Sequence, residues 1–290
     1  MTVTRTSEAP PPRWVRTRSP SRWSAVLVAA LVVLGAAVAL YPATASWFAE
    51  RAAVTTGARY SETVAALEPA DRADRLRDAD EYNALLGRGV LPDPFDASTP
   101  HTVVDPSDPY WSLLDDGDGV MARIRIPAID LDLPVYHGTA DDVLRRGVGH
   151  LQGTAMPIGG QGRHTVLTGH RGLAEAELFT RLDELDRGDR IEIEVYGETL
   201  VYEVTESVVV LPTDVDALRP VVGRDLLTLV TCTPIGVNSH RILVTAERVF
   251  PDAPAATAAA AEWSLPWWSI VFAIVLVAAA GFVVRAWRRG

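Results

Sequence analysis

One cysteine stands in 290 residues, Cys232, closing the run Leu226-Leu227-Thr228-Leu229-Val230-Thr231-Cys232. A lone cysteine is often a buried, inert apolar residue. Its thiolate would also be the chain's best nucleophile, and a nearby cation favours that form. Arg241 follows after Thr233-Pro234 and a loop with Gly236 and Asn238. If the two flanking strands form an antiparallel hairpin, the guanidinium comes within reach of the thiol. Attack on an amide carbonyl creates an oxyanion that needs fixed donors. Arginine supplies them but stays protonated and cannot act as a base. Histidine is the usual base or acid. Of His101, His137, His150, His164, His170 and His240, the one that stands out is His170, in Leu167-Thr168-Gly169-His170-Arg171-Gly172. It ends a short strand between glycines that allow close backbone approach. His240 adjoins Arg241, so alternation turns it to the other sheet face. His137 and His150, beside glycines, read as structural, His164 as exposed, and His101 lies in a proline-rich stretch. No histidine pair has metal-ligand spacing, and one cysteine excludes a zinc–cysteine cluster or a disulfide. Neither a metal nor a cofactor is expected.

The elements that must hold these residues are mostly short strands. Val120–Ile126, Leu131–Tyr136, His164–Thr168, Arg190–Tyr196, Thr199–Val210, Leu226–Cys232 and Ile242–Phe250 carry strand patterns. The cleanest is Ile191, Ile193 and Val195 alternating with Glu192, Glu194 and Tyr196. Many short strands with few helices predict a mainly β fold, a closed or nearly closed barrel over 120–250. Ser61 to Leu86 reads as helix, with Pro69 dividing it in two. Asp141 to Arg146 reads as one or two helical turns. Glu175 to Leu185 has helical spacing through Leu178, Leu182 and Leu185. Residues 88–119 carry Pro92, Pro94, Pro100, Pro106 and Pro109 and form a long irregular segment, of the kind that is usually functional or disordered.

Thr228-Leu229-Val230-Thr231-Cys232-Thr233-Pro234 followed by Arg241 resembles the cysteine signature of sortases, and Thr168-Gly169-His170-Arg171-Gly172 resembles their histidine motif. The similarity covers about residues 60–285. Two apolar helices around the domain, and the long segment before the first strand, resemble class C, the pilin-polymerising sortases. The resemblance implies an eight-stranded barrel with short helices and an N-terminal helical and lid segment, flanked by two transmembrane helices. It implies that Cys232 attacks the Thr–Gly bond of an LPxTG-like signal and that His170 moves the proton. Arg241, with Thr231, would bind substrate and stabilise the oxyanion. The acceptor it implies is a pilin lysine, in pilus assembly.

Class C sortases also share a lid with Asp-Pro and an aromatic residue. Asp93-Pro94-Phe95, after Tyr82-Asn83, matches the usual position; Asp108-Pro109-Tyr110 is the alternative. The carboxylate would pair with Arg241 while the ring covers Cys232. Both could equally be ordinary Asp-Pro turns.

Composition places the domain. Apolar residues make up 48% and charged residues 22%, so general disorder is not expected. The net charge of −10 argues against nucleic-acid binding. All 27 basic residues are arginine. The chain thus has no side-chain amine of its own to acylate, although composition alone explains that equally well. Ser24–Tyr41 and Trp267–Val284 are uncharged runs of 18 residues, each long enough to cross a bilayer. Five arginines precede the first and three follow the second, which puts both ends in the cytoplasm. A cleaved signal peptide is the competing reading, because Ala43-Thr44-Ala45 resembles a cleavage site. Either way the middle is exported, with 19 arginines against 36 acids, a charge of −17.

The expected organisation is a cytoplasmic tail (1–22), a transmembrane helix (23–45), the helical and lid segment (46–119) and the barrel (120–250). A linker (251–265), a second transmembrane helix (266–284) and a cytoplasmic tail (285–290) follow. The partners expected are LPxTG-bearing surface or pilin proteins, an acceptor amine from a pilin lysine or a peptidoglycan precursor, and the membrane. Three other readings stay open: a sortase that attaches proteins to peptidoglycan, a cysteine hydrolase without transfer, and a silent assembly domain with Cys232 merely buried.

Overall fold

The computed structural model describes residues 22–86, 93–95, 107–250 and 265–289. His101, the tail before residue 22, the linker before residue 265 and most prolines of the 88–119 segment lie outside the described residues. The chain forms two units, residues 42–262 and the two ends together. In the terminal unit, α4 (Trp267–Arg289) and the first part of α1 (Arg22–Ala66) are long and apolar enough to cross a membrane. Helix α1 continues past Pro42 without a break, so helix begins well before Ser61.

The other unit is a closed barrel in the order β1-β2-β3-β4-β7-β8-β6-β5. The strands are β1 (Val120–Ile126), β2 (Leu131–His137), β3 (Val148–His150) and β4 (Arg163–Thr168). Then follow β5 (Arg190–Val195), β6 (Glu198–Val210), β7 (Asp225–Thr233) and β8 (His240–Arg248). All seven strands expected from alternation are present. The eighth, β3, is only Val-Gly-His; it exists because it pairs parallel to β2 and antiparallel to β4. Eight strands close the barrel and leave no free edge.

Strand β7 sits between β4, parallel to it, and β8, antiparallel to it. It is buried on both faces, which explains its nearly continuous apolar run. The parallel pairing has a direct consequence for the site. Two parallel neighbours end at the same rim, here with Thr168 opposite Val230. The hairpin then sets Arg241 opposite Cys232.

Two helices brace the barrel. The Tyr60 hydroxyl of α1 donates to the Met121 carbonyl (3.1 Å) and accepts from the Tyr196 amide (3.0 Å). Pro69 opens α2 (Pro69–Leu85), as its missing N–H allows at a first helical position. Near the end of α2, the Asn83 side chain accepts from the Met156 amide (2.7 Å) and donates to the same residue's carbonyl.

Two expectations fail here. Glu175 to Leu185 is not a helix; only Leu182–Glu184 forms a 3-10 turn. Leu178 has a left-handed backbone, and Leu178, Phe179, Leu182 and Leu185 plug the core from a loop. Their spacing reflects burial rather than helical winding. His164 is buried, not exposed. Its Nδ1 donates to the Arg219 carbonyl (3.0 Å), and its Nε2 accepts from Thr228, which in turn bonds Thr245. Burial pushes its pKa down, so the chain of hydroxyls serves a neutral imidazole.

Candidate active site

Strands β4, β7 and β8 deliver their residues to one rim. Cys232 lies in β7 with 7% of its surface exposed, and it is the one cysteine. Burial is the main influence raising its pKa; the Arg241 charge lowers it and the Asp93 charge raises it again. Burial and the Asp93 charge thus favour the thiol over the thiolate, and the Arg241 charge opposes them.

Arg241 is the hub. Its Nε and Nη2 donate to the two carboxylate oxygens of Asp93 at 2.9 and 2.7 Å, a bidentate pair with both side chains 9% exposed. Its Nη1 donates to the carbonyls of Asn238 (2.9 Å) and His240 (3.0 Å), fixing the fork at the strand end. The Phe95 ring lies 5.2 Å from the guanidinium carbon and 6.0 Å from the His170 ring. Beneath Phe95 is an apolar patch of Leu151, Val166, Leu218, Val230 and Leu243. Pro94 is buried. The Asp93-Pro94-Phe95 turn thus covers the rim next to Cys232 with a carboxylate on the cation and a ring on the histidine.

Asp108-Pro109-Tyr110 is elsewhere. Asp108 caps its own 3-10 turn through the Tyr110 amide (2.9 Å) and accepts from Gln152. Tyr110 is fully buried. Its hydroxyl accepts from the Gly138 amide (2.8 Å) and bonds the His150 carbonyl and Nδ1 (3.0 and 3.1 Å). His150 in turn bonds the Ala155 carbonyl (2.9 Å), and His137 the Leu113 carbonyl (2.7 Å). Both are placed as structural histidines.

His170 follows β4 on a tightly constrained loop. A Cβ at Gly169 would stand 2.7 Å from the Phe179 ring, so only glycine fits there. The Gly172 backbone has φ +73°. Arg171 ties the loop down by donating to the Thr180 carbonyl (3.1 Å), Thr233 Oγ1 (3.0 Å) and Asp183 (2.5 Å). Thr231 is fully buried, and its hydroxyl donates to the Gly169 carbonyl (2.7 Å). Its side chain therefore links the cysteine strand to the histidine loop instead of facing the rim.

One partner of His170 was not singled out from the sequence. Nε2 lies 3.2 Å from Oδ1 of Asp141, the first residue of α3 (Asp141–Leu144). The pair is 29 residues apart, and no spacing rule connects it. Among the described residues no cluster of three His, Cys, Asp or Glu is placed to hold a metal.

Two hollows lie elsewhere among the described residues of this unit. One, about 480 Å³, is lined by His164, Leu218, Arg219, Pro220 and Val222 among others. It shares Leu218 with the apolar patch under Phe95. The other, about 210 Å³, lies between α1, the β1–β2 turn and the 176–181 segment. Exposed Val209, Leu211, Ile235 and Val237 lie on the chain near the Arg241 and Cys232 strand ends.

Residues 124–249 match a family model described as a sortase domain. Sortase D of Bacillus subtilis (strain 168) is 32% identical over 130 residues, which are 43% of this chain and 62% of that protein. The chain thus spans less than two thirds of that relative. A solved structure of sortase C-1 from Actinomyces oris is 48% identical with a TM-score of 0.57, covering 61% of this chain and 98% of that one. The structure of Streptococcus pneumoniae sortase C, described as bearing on catalysis and pilin substrate specificity, is 37% identical with a TM-score of 0.62. It covers 69% of this chain and 99% of its own.

Proposed function

This chain belongs to the sortase family, and we propose that it is a membrane-anchored cysteine transpeptidase that joins an LPxTG-like sorting signal to a pilin lysine. Cys232 is the nucleophile, His170 the proton carrier and Arg241 the substrate and oxyanion clamp. Asp93, Pro94 and Phe95 are the lid that blocks them at rest. The domain faces the outside of the cell, with both termini in the cytoplasm.

In the reaction, His170 takes the proton of the Cys232 thiol, the resulting thiolate attacks the Thr–Gly carbonyl carbon, and the oxyanion settles on the Arg241 donors. His170 protonates the glycine amine as the C–N bond breaks, leaving a thioacyl enzyme. It then takes a proton from the incoming amine, and the new amide forms as the C–S bond breaks. The exposed Val209, Leu211, Ile235 and Val237 give an extended apolar signal something to lie against. Thr231 supports the site by holding the histidine loop to the cysteine strand.

The observation that carries this reading is the bidentate Asp93–Arg241 pair beside Cys232, with Phe95 over both Arg241 and His170. A carboxylate that occupies the oxyanion clamp stands where a substrate carbonyl must go. Its departure also removes a charge that raises the thiol pKa. Opening the lid therefore frees the groove and activates the nucleophile in one movement.

The test uses the full chain in detergent micelles, with Asp93→Ala and Phe95→Ala to open the site. It is incubated with an LPxTG peptide and a lysine-bearing pilin fragment. A joined product linked through lysine, absent in Cys232→Ala, is expected by mass spectrometry. Cleavage without joining would move the function to hydrolysis, and joining only to a peptidoglycan amine would move the acceptor to the cell wall.

A further inference from the structure

His170 has two ring nitrogens, and the reaction needs one of them to carry the proton while the other is held. We propose that Asp141 is a positioning residue that anchors Nε2 of His170 and so assigns the proton transfer to Nδ1. The inference rests on His170 being the proton carrier of the reaction proposed above.

The geometry at Asp141 is specific to each oxygen. Oδ1 lies 3.2 Å from His170 Nε2, while Oδ2 accepts from Arg145 Nε at 2.8 Å. Arg145 is one turn further along, so the carboxylate is aimed from its own backbone. Arg145 first, and His170 next, hold the Asp141 carboxyl below the usual carboxylate range. An ionised carboxylate can only accept, so Nε2 must donate. A neutral imidazole has one N–H, and with it on Nε2 the lone pair falls on Nδ1. In the charged ring the Nδ1 proton is then the one free to leave. It goes to the departing amine as the C–N bond breaks. The incoming amine returns a proton to Nδ1 as the new C–N bond forms and the C–S bond breaks.

Asp141 also outlasts the lid. The Phe95 ring faces His170 only while the Asp93 turn is docked. Helix α3 connects β2 to β3 and belongs to the barrel, so the Asp141 contact does not depend on the lid. When the site opens, Asp141 keeps the ring from rotating away from the cysteine strand. Both partners are partly solvent-facing, His170 at 21% and Asp141 at 66%, so the effect is modest.

The experiment uses the full-length chain with the opened lid, in detergent micelles and labelled with nitrogen-15 histidine. Asp141→Asn, Asp141→Glu and His170→Ala are compared for joining an LPxTG peptide to a lysine peptide. Asp141→Asn is expected to lower kcat on the order of two- to fivefold. KM for the sorting peptide should not change, and Asp141→Glu should recover most of the loss. The His170 signal, assigned by its absence in His170→Ala, should move from the Nε2–H tautomer toward Nδ1–H in Asp141→Asn. An unchanged rate and tautomer in Asp141→Asn, with His170→Ala inactive, would overturn the role of Asp141 and leave that of His170. Full activity in His170→Ala would overturn both.

Discussion

The turns at residues 93–95 and 108–110 are both Asp-Pro-aromatic, and locally they are alike. In each, the aspartate Oδ1 accepts from the amide of the aromatic residue, at 3.4 Å for Phe95 and 2.9 Å for Tyr110. Beyond that they diverge. The second carboxylate oxygen of Asp93 meets the Arg241 guanidinium, whereas that of Asp108 meets a neutral Gln152 amide. Phe95 is half-buried and has no polar tip, so it can leave its patch without abandoning a hydrogen bond. Tyr110 is sealed in the core and supplies a hydroxyl to Gly138 and His150. Leaving would strand buried polar groups, which is costly. Among the described residues, the polar hold of the first turn is the Asp93–Arg241 pair alone, whereas the second is anchored by both its carboxylate and its buried hydroxyl.

The sharpest contrast is in stability. Tyr110→Ala should cost about 3–5 kcal/mol, from a large cavity and a lost hydrogen-bond hub. Phe95→Ala should cost about 1 kcal/mol. Denaturant midpoints of the two variants decide this, and equal losses would erase the distinction. Next in size is a pH effect on the Tyr110 side. Burial lowers the His150 pKa from 6.5 to about 4. The unfolded chain then binds more protons between those values, so stability is full above about pH 6.5 and falls as the pH drops toward 4. The loss should be on the order of 3 kcal/mol and should shrink in His150→Gln, in the same denaturant measurement.

The chemical contrast is third. Asp93→Ala removes a charge that raises the Cys232 pKa and frees the arginine that lowers it. The pH profile of thiol alkylation should move to lower pH, with a faster rate near neutrality. Asp108→Ala should leave alkylation unchanged and cost only its cap, about 1 kcal/mol. An alkylation gain in Asp108→Ala would reverse the assignment of the two turns. Smallest is Thr231→Val, which gives up the bond to Gly169. It should cost about 1 kcal/mol and slow the joining reaction more than alkylation, because it loosens the histidine loop and leaves the thiol in place.

How far the sequence could be read follows from the range of the forces involved. Strand β5 was legible because Ile191, Ile193 and Val195 alternate with Glu192 and Glu194, a local signature of one buried face. Strand β3 was not, because three residues carry no period and their pairing comes from β2 and β4. The 175–185 stretch misled for the opposite reason. Its leucines keep helical spacing while the chain loops around Phe179, since burial alone can imitate a helix stripe. His164 read as exposed because nothing nearby in sequence announces the Thr228 and Thr245 hydroxyls that satisfy it.

By itself the sequence determined the chemical vocabulary: one thiol, an arginine at hairpin distance, a histidine between glycines, and two apolar spans. These are properties of residue type and short spacing, which local physics controls. Only the tertiary structure decided which aspartate takes Arg241 and which one takes His170. Asp93 and Arg241 are 148 positions apart, and Asp141 and His170 are 29 apart. Such pairings are made by the parallel β4–β7 and antiparallel β7–β8 registers that bring distant strand ends to one rim. A carboxylate's partner depends on what folding places beside it, and two Asp-Pro-aromatic turns therefore ended with different partners.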